Sequence, residues 1–337
     1  MTTLLDVARV AGVSRATVSL VCRNSPLVAD KTRLKVQRAM AEVGYVYNRS
    51  AANLRSSLAN TVVLIIPEIA NPIYSDLLSG VEEILTPLGI AVFIADTIES
   101  LERQSQILLR MLEMRVDGLI ISAVAGTSPK SLDAYIRMGI PVVQVMRGIE
   151  GAQFDFAGTN NRLGTRKATE HLLSLGHQRI AFVGSAISPS VNQQRYLGFC
   201  EAVEMHGLAV DAMPVILSRH SFNAGALATK TLLAQPVRPT GLICFNDPIA
   251  FGATLGLYEL GLVPGKDVSV VGFDDIEAAR NWRPPLTTMS IEAQLIGKHA
   301  AMLLAERMKN RDLPISSLVS EAVLKKRETS APPRIRA

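Results

Sequence analysis

Between residues 60 and 330, short and predominantly apolar runs recur with amphipathic stretches between them. The runs cover 62–66, 90–95, 118–121, 141–145, 180–183, 241–245 and 268–271. The stretches between them include 74–85, 101–114, 162–175, 192–205, 224–233 and 249–260, whose apolar residues fall at helical spacing. A strand apolar on both faces must be covered on both faces, and helical connections supply that cover only in a parallel sheet. The pattern therefore specifies an α/β body of doubly wound parallel sheets. The runs are too many for one sheet, so the body divides into two similar lobes. Residues 154–158 read as a crossover, and 285–308 as a return to the first lobe.

The first sixty residues follow another rule. They contain no strand pattern and three short helices. Thr3 caps the first, with Leu4, Val7, Ala8 and Ala11 on one face and Gly12 ending it. Ser14 caps the second, with Val18, Val21 and Cys22 pointing inward. The third runs from Asp30 to Val43 on a stripe of Leu34, Ala39, Met40 and Val43, and Gly44 ends it. Two helices joined by a tight glycine turn form a helix-turn-helix candidate. Charge supports that reading. Nine of the 35 Lys and Arg residues fall in residues 1–60, against three of the 30 acids, so this segment carries +6 and the remainder −1. A basic head on a nearly neutral body points to a polyanion partner. On the outward face of the second helix, Arg15, Ala16, Ser19 and Leu20 lie within about 140° of one another. Apolar side chains there suit thymine methyls, and an arginine suits guanine. Ser14, Thr17, Ser19 and Asn24 flank the face and suit phosphate oxygens.

Several classes drop out. No apolar run reaches the roughly 18 residues of a membrane span. The N-terminus lacks the basic and apolar regions of a secretory signal, which favours a cytoplasmic protein. Cys22, Cys200 and Cys244 are too few and too scattered for a disulfide framework or a zinc site. No Gly-x-Gly-x-x-Gly or Walker spacing follows a strand, His171 and His177 make no metal motif, and the adjacent Asp274 and Asp275 are not a glycosidase pair. An enzyme and a cofactor are not expected.

The run Leu5-Asp-Val-Ala-Arg-Val-Ala-Gly-Val-Ser-Arg-Ala-Thr-Val-Ser19 closely resembles the headpiece of LacI/GalR-type bacterial transcriptional regulators. Thr32-Arg33, Val43-Gly-Tyr45 and Asn48-Arg-Ser-Ala-Ala-Asn-Leu54 continue the resemblance. So do Asn71-Pro72, Val116-Asp-Gly-Leu-Ile120, His171-Leu-Leu-Ser-Leu-Gly-His177, Arg195-Tyr-Leu-Gly-Phe199, Phe245-Asn-Asp247, Val271-Gly-Phe-Asp-Asp275 and Pro285-Leu-Thr-Thr288. The ordered set spans roughly residues 3–330. It implies a helix-turn-helix headpiece (1–46), a hinge helix (47–58), a periplasmic-binding-protein-like body (59–330) and a tail (331–337). Lobe one would hold about 59–158 and 289–317, and lobe two about 159–288 and 318–330. The implied function is a ligand-responsive repressor that binds a near-palindromic operator on double-stranded DNA as a homodimer. A solute-binding receptor shares the body but has no use for the basic head. The C-terminal stretch Glu328–Ala337, ETSAPPRIRA, carries no heptads, which favours a dimer over a tetramer.

The resemblance also implies residue roles. Tyr45, Asn48, Arg49, Ala51 and Leu54 join the DNA contacts, with Leu54 wedging into the minor groove and Ala51 beside it. Val46-Tyr47 departs from the proline usual in the family's hinge. Effector contacts fall on Ile73, Tyr74, Met146, Arg147, Arg195, Phe222, Asn246 and Asp274, with Asp275 a further candidate. Met146 stands where sugar-binding relatives often have an aspartate, and Arg147 lies beside it. The effector classes therefore include a sugar, a sugar acid and a sugar phosphate.

Overall fold

A computed structural model describes residues 2–22, 25–47 and 59–334. The chain forms two compact units that divide between Ala59 and Asn60.

The N-terminal unit is all helical, with helices at Leu4–Ala11, Arg15–Cys22 and Asp30–Glu42. Thr3 and Asp6 form a reciprocal capping box on the first, and Gly12 closes it in the left-handed conformation. The Ser14 Oγ accepts from the Thr17 N–H at 3.1 Å and so caps the second. The core is Val7, Ala8, Ala11, Val18, Val21, Val28, Val36 and Ala39. The third helix differs from the expected stripe. Leu34 is 55% exposed, and Val36 takes the buried place. Val36, Ala39, Met40 and Val43 repeat at intervals of three and four, whereas Leu34 lies about 200° around the axis from Val36.

The second unit contains two six-stranded sheets. The first has the order β11-β5-β4-β3-β1-β2 and the second β12-β10-β9-β8-β6-β7. Their strands are β1 (Thr61–Ile66), β2 (Ala91–Asp96), β3 (Gly118–Ile121), β4 (Val142–Val145), β5 (Asp155–Thr159), β6 (Ile180–Ser185), β7 (Val215–Ser218), β8 (Gly241–Cys244), β9 (Ser269–Asp274), β10 (Thr287–Ser290), β11 (Ser317–Ser320) and β12 (Val323–Lys325). All ladders are parallel except β10 with β12. Val62–Ile66 in β1 are all buried, as helices on both faces require.

The passages between lobes fall later than the sequence suggested. β5 (Asp155–Thr159) lies in the first sheet, paired with β4 and β11, so residues 155–158 are a strand of lobe one and not a crossover. β10 pairs with β9, which keeps the chain in lobe two through Ser290. The helix Ala293–Lys309 then packs on the first lobe against the helix Ile73–Leu85. β11 pairs with β5, so Leu318–Ser320 belong to lobe one and not to lobe two. The hydrophobic pattern of an extended segment does not reveal which sheet edge receives it. The two helices on lobe one approach closely because Gly297 lacks a side chain. A Cβ there would lie 2.0 Å from the Leu77 carbonyl oxygen.

Candidate functional site: an inter-lobe cleft and a helix-turn-helix face

In the headpiece, Arg15 and Ala16 of the second helix are exposed, and Thr17 and Ser19 are half-buried. The Ser14 and Thr17 hydroxyls are 2.9 Å apart. Leu20 differs from its expected outward position. It is half-buried and packs on the headpiece core, as does Tyr45. Arg15 and Ala16 therefore form the open part of the face. Asn24, Asn48, Arg49, Ala51 and Leu54 lie outside the described residues.

In the body, the carboxyl ends of the parallel strands of both lobes face one cavity of about 40 Å³. Ile73 and Tyr74 reach it from the first turn after β1, Met146 and Arg147 from the end of β4, Arg195 from the helix Pro189–Met205, Asn246 from the end of β8, and Asp274 from the end of β9. Seven of the eight expected effector residues thus converge. Phe222 is the exception. Its ring packs edge-on against Phe251 and Trp282, at centroid distances of 5.6 and 5.9 Å, and does not line the cavity. Asp275 also lies off the cavity, with Arg327 donating to its carboxylate at 2.5 Å. A cavity of this size holds roughly one water.

Arg195 organises the site. Its side chain is buried between the Phe273 ring at 3.7 Å and the Phe245 ring at 4.4 Å. Its Nε donates to the Asn161 side-chain oxygen at 2.9 Å, and a terminal nitrogen donates to the Phe245 carbonyl. The other terminal nitrogen lies 3.5 Å from the Asp274 carboxylate. Burial pulls the guanidinium pKa down to about 10, against the opposing pull of Asp274. Burial likewise raises the Asp274 carboxyl to about 6, with Arg195 opposing. Behind this pair Asp247 is fully buried. It accepts from the Thr288 hydroxyl at 2.5 Å and from the Ile276 N–H at 3.0 Å. Burial and the nearby Asp274 push its carboxyl well up.

Arg147 does not reach toward solvent. Its side chain is 11% exposed, and it donates to both oxygens of Glu99 at 2.8 and 3.1 Å. Asn246 spends its side-chain oxygen on the Ile249 N–H, which caps the following helix, so its NH2 is what remains for a ligand. Tyr74 Oη and Ser122 Oγ are 3.4 Å apart at the wall. Met146 and Asp274 have positive φ angles of 62° and 115°. Strain of this kind in non-glycine residues collects at ligand sites.

Sequence reasoning missed His220 and Asn161, which also line the cavity. Asn161 was hidden in a helix start, and His220 sits in a loop without periodicity. Among the described residues no group of His, Cys, Asp and Glu could hold a metal ion. No helix among them is long and apolar enough to cross a membrane.

One expected result follows from Asp274. Only its charged form is a strong acceptor for a ligand hydroxyl, and that form is lost as pH falls through about 6. Sugar affinity at pH 5 is expected to be about 10-fold lower than at pH 7.5. Calorimetric titrations at the two pH values check this, and Asp274→Asn should abolish the difference.

Comparison with known proteins adds independent findings. Residues 59–328 match the family model described as periplasmic binding proteins and sugar binding domain of the LacI family. Residues 3–48 match that of bacterial regulatory proteins, lacI family. The ribose operon repressor of Haemophilus influenzae is 32% identical over 329 residues, which covers 98% of both chains. The transcriptional repressor PurR of Vibrio campbellii is 32% identical over 314 residues, 93% of both. Among solved structures, the Lac repressor dimer bound to operator and the anti-inducer ONPF superposes with a TM-score of 0.84 at 28% identity, covering 98% of this chain and 99% of that one. A LacI-family regulator from Enterococcus faecium with bound ribose gives 0.75 at 28% identity, covering 81% and 100%. With both family models matched in order and relatives this similar along nearly the whole chain, the protein belongs to the LacI family of bacterial regulators.

Proposed function

We infer that this protein is a cytoplasmic, homodimeric transcriptional repressor whose operator affinity is set by an uncharged, hydroxyl-rich sugar in the inter-lobe cleft. The DNA-binding and ligand-responsive character belongs to the family. The charge balance of the cleft carries the choice of effector class. Arg147 is matched by Glu99 and Arg195 by Asp274, so the two cations that lie closest to a ligand are already paired. A sugar acid or phosphate would bring an unmatched charge into a buried site, at a cost of several kcal/mol. Hydroxyls demand only donors and acceptors, which Asn246, Tyr74 and Asp274 supply. The ribose-bound relative agrees with this reading. Calorimetric titration with aldopentoses, aldohexoses, aldonic acids and sugar phosphates tests it. Neutral sugars should bind and change operator affinity. Tight binding by phosphates or acids alone would contradict it.

The dimer has suitable surfaces on both lobes. β2 is an edge strand whose Phe93 and Ile94 are 50% and 41% exposed. In lobe two Phe222, Leu255 and Tyr258 are also exposed. Bare apolar residues on an edge strand are a liability unless a partner covers them. Phe93→Asp is expected to shift the protein toward monomer in sedimentation experiments and to weaken operator binding with it. An unchanged dimer would place the interface elsewhere.

A further inference from the structure

His220 lies between β7 and the helix Phe222–Leu233, on the lobe-two wall of the cleft. Its side chain is only 3% exposed, and its ring stacks on Phe245 at 4.8 Å. The hydrogen-bond network around it determines its tautomer. Ser185 Oγ accepts from the Ile187 N–H at 3.2 Å and from the Ser188 N–H at 3.0 Å. Both acceptor positions of that hydroxyl are therefore filled, and its single hydrogen points to His220 Nε2, 2.7 Å away. Nε2 accepts, so the ring proton sits on Nδ1. That N–H is buried and has no hydrogen-bond partner. An unpaired buried donor is costly, and native structures rarely keep one without a use.

Nδ1 points across the cleft. Glu68, which follows β1 in lobe one, places a carboxylate oxygen 4.0 Å away. That distance is too long for a hydrogen bond. The N–H is sealed off here, so an oxygen atom bonded to both groups at about 2.8 Å enters only as the two walls part. The ring remains a neutral donor, because burial, reinforced by Arg147 and Arg195, pushes its pKa down to about 3. On the opposite wall, burial and Glu99 raise the Glu68 carboxyl, with Arg147 opposing.

We propose that His220 and Glu68 form a hydroxyl clamp across the lobes, in which one effector hydroxyl accepts from His220 Nδ1–H and donates to the Glu68 carboxylate. Only a group that both donates and accepts satisfies the two walls at once, so a carbonyl, an ether or a methyl group at that position is rejected. Because the walls belong to different lobes, the same hydroxyl ties effector identity to lobe closure. The clamp rests on the reading of the effector as a neutral sugar.

Calorimetric titration with the best-binding aldopentose or aldohexose and its monodeoxy derivatives tests this on the full-length protein, His220→Phe and Glu68→Gln. His220→Phe keeps a ring against Phe245 and removes the donor. Glu68→Gln, at a partly exposed position, is the second variant should the first fail to fold in thermal melts. One deoxy position is expected to lose about 10-fold on the wild type and almost nothing further on either variant. The clamp is overturned if the parent sugar binds both variants as tightly as wild type, or if every deoxy derivative loses the same factor on variant and wild type. If no neutral sugar binds the wild type, the sugar reading itself fails and the clamp with it.

Discussion

A chain lacking residues 1–58 should lose operator binding entirely and retain sugar binding and the dimer. The helix-turn-helix and most of the excess positive charge lie in the removed segment, whereas the body has its own two sheets and cores. The intact dimer brings two basic heads to the duplex. If 6–10 of their side chains reach phosphates, operator affinity should fall roughly 10³–10⁵-fold between 50 and 200 mM salt. Fluorescence anisotropy with labelled operator measures both effects. Salt-independent affinity, or DNA retention by the truncated chain, would show that the headpiece is not the DNA-binding element. A monomeric truncated chain would show that the dimer contacts do not lie in the lobes.

Arg195→Ala is expected to have the largest effect in the cleft. The guanidinium is held by Asn161, the Phe245 carbonyl and Asp274, and is sandwiched by two phenylalanine rings. Its removal leaves Asp274 buried without a cation, next to the second buried carboxyl of Asp247. Removing one member of a buried pair costs about 3–5 kcal/mol. The melting temperature should drop and sugar binding should fall at least 100-fold, while the separate headpiece unit keeps its fold. Arg195→Lys should recover part of the stability but little of the affinity, because an ammonium lacks the planar fork that serves three acceptors. Calorimetry and thermal melts separate the two outcomes. Wild-type sugar affinity in Arg195→Ala would remove the residue from the effector site.

The sequence disclosed the repeating body more fully than its edges. Runs such as Val62–Ile66 are legible because burial on both faces forces uniform apolarity. β7, β11 and β12 lie at or near sheet edges, with exposed residues among half-buried ones, and carry no such signature. The expected cleft residues came from the family resemblance, and most of them do follow a strand end, where this fold concentrates ligand contacts, whereas Arg195 lies within the helix Pro189–Met205. What periodicity could not reveal was pairing. Arg147 next to Met146 suggested an anion site, yet Glu99, 48 residues away in sequence, neutralises it. Phe222 fell to the aromatic cluster with Trp282, and His220, two residues earlier, faces the cleft in its place.

Leu54 and the other hinge residues 48–58 lie outside the described residues, and their role is what the family leads one to expect: a short helix that folds only on DNA and carries a wedge. Leu54→Ala should then weaken operator binding and bending without altering sugar affinity in free protein.

Operator affinity should follow occupancy of the inter-lobe cleft. Operator titrations of wild type and Asp274→Ala, each with and without saturating neutral sugar, test it most directly. A sugar-dependent shift of at least 5-fold is expected in wild type, the lower end of typical coupling between sites. No shift is expected in Asp274→Ala, with sugar-free operator affinity unchanged. An equal shift in both proteins, or none in wild type with sugar demonstrably bound, would contradict it.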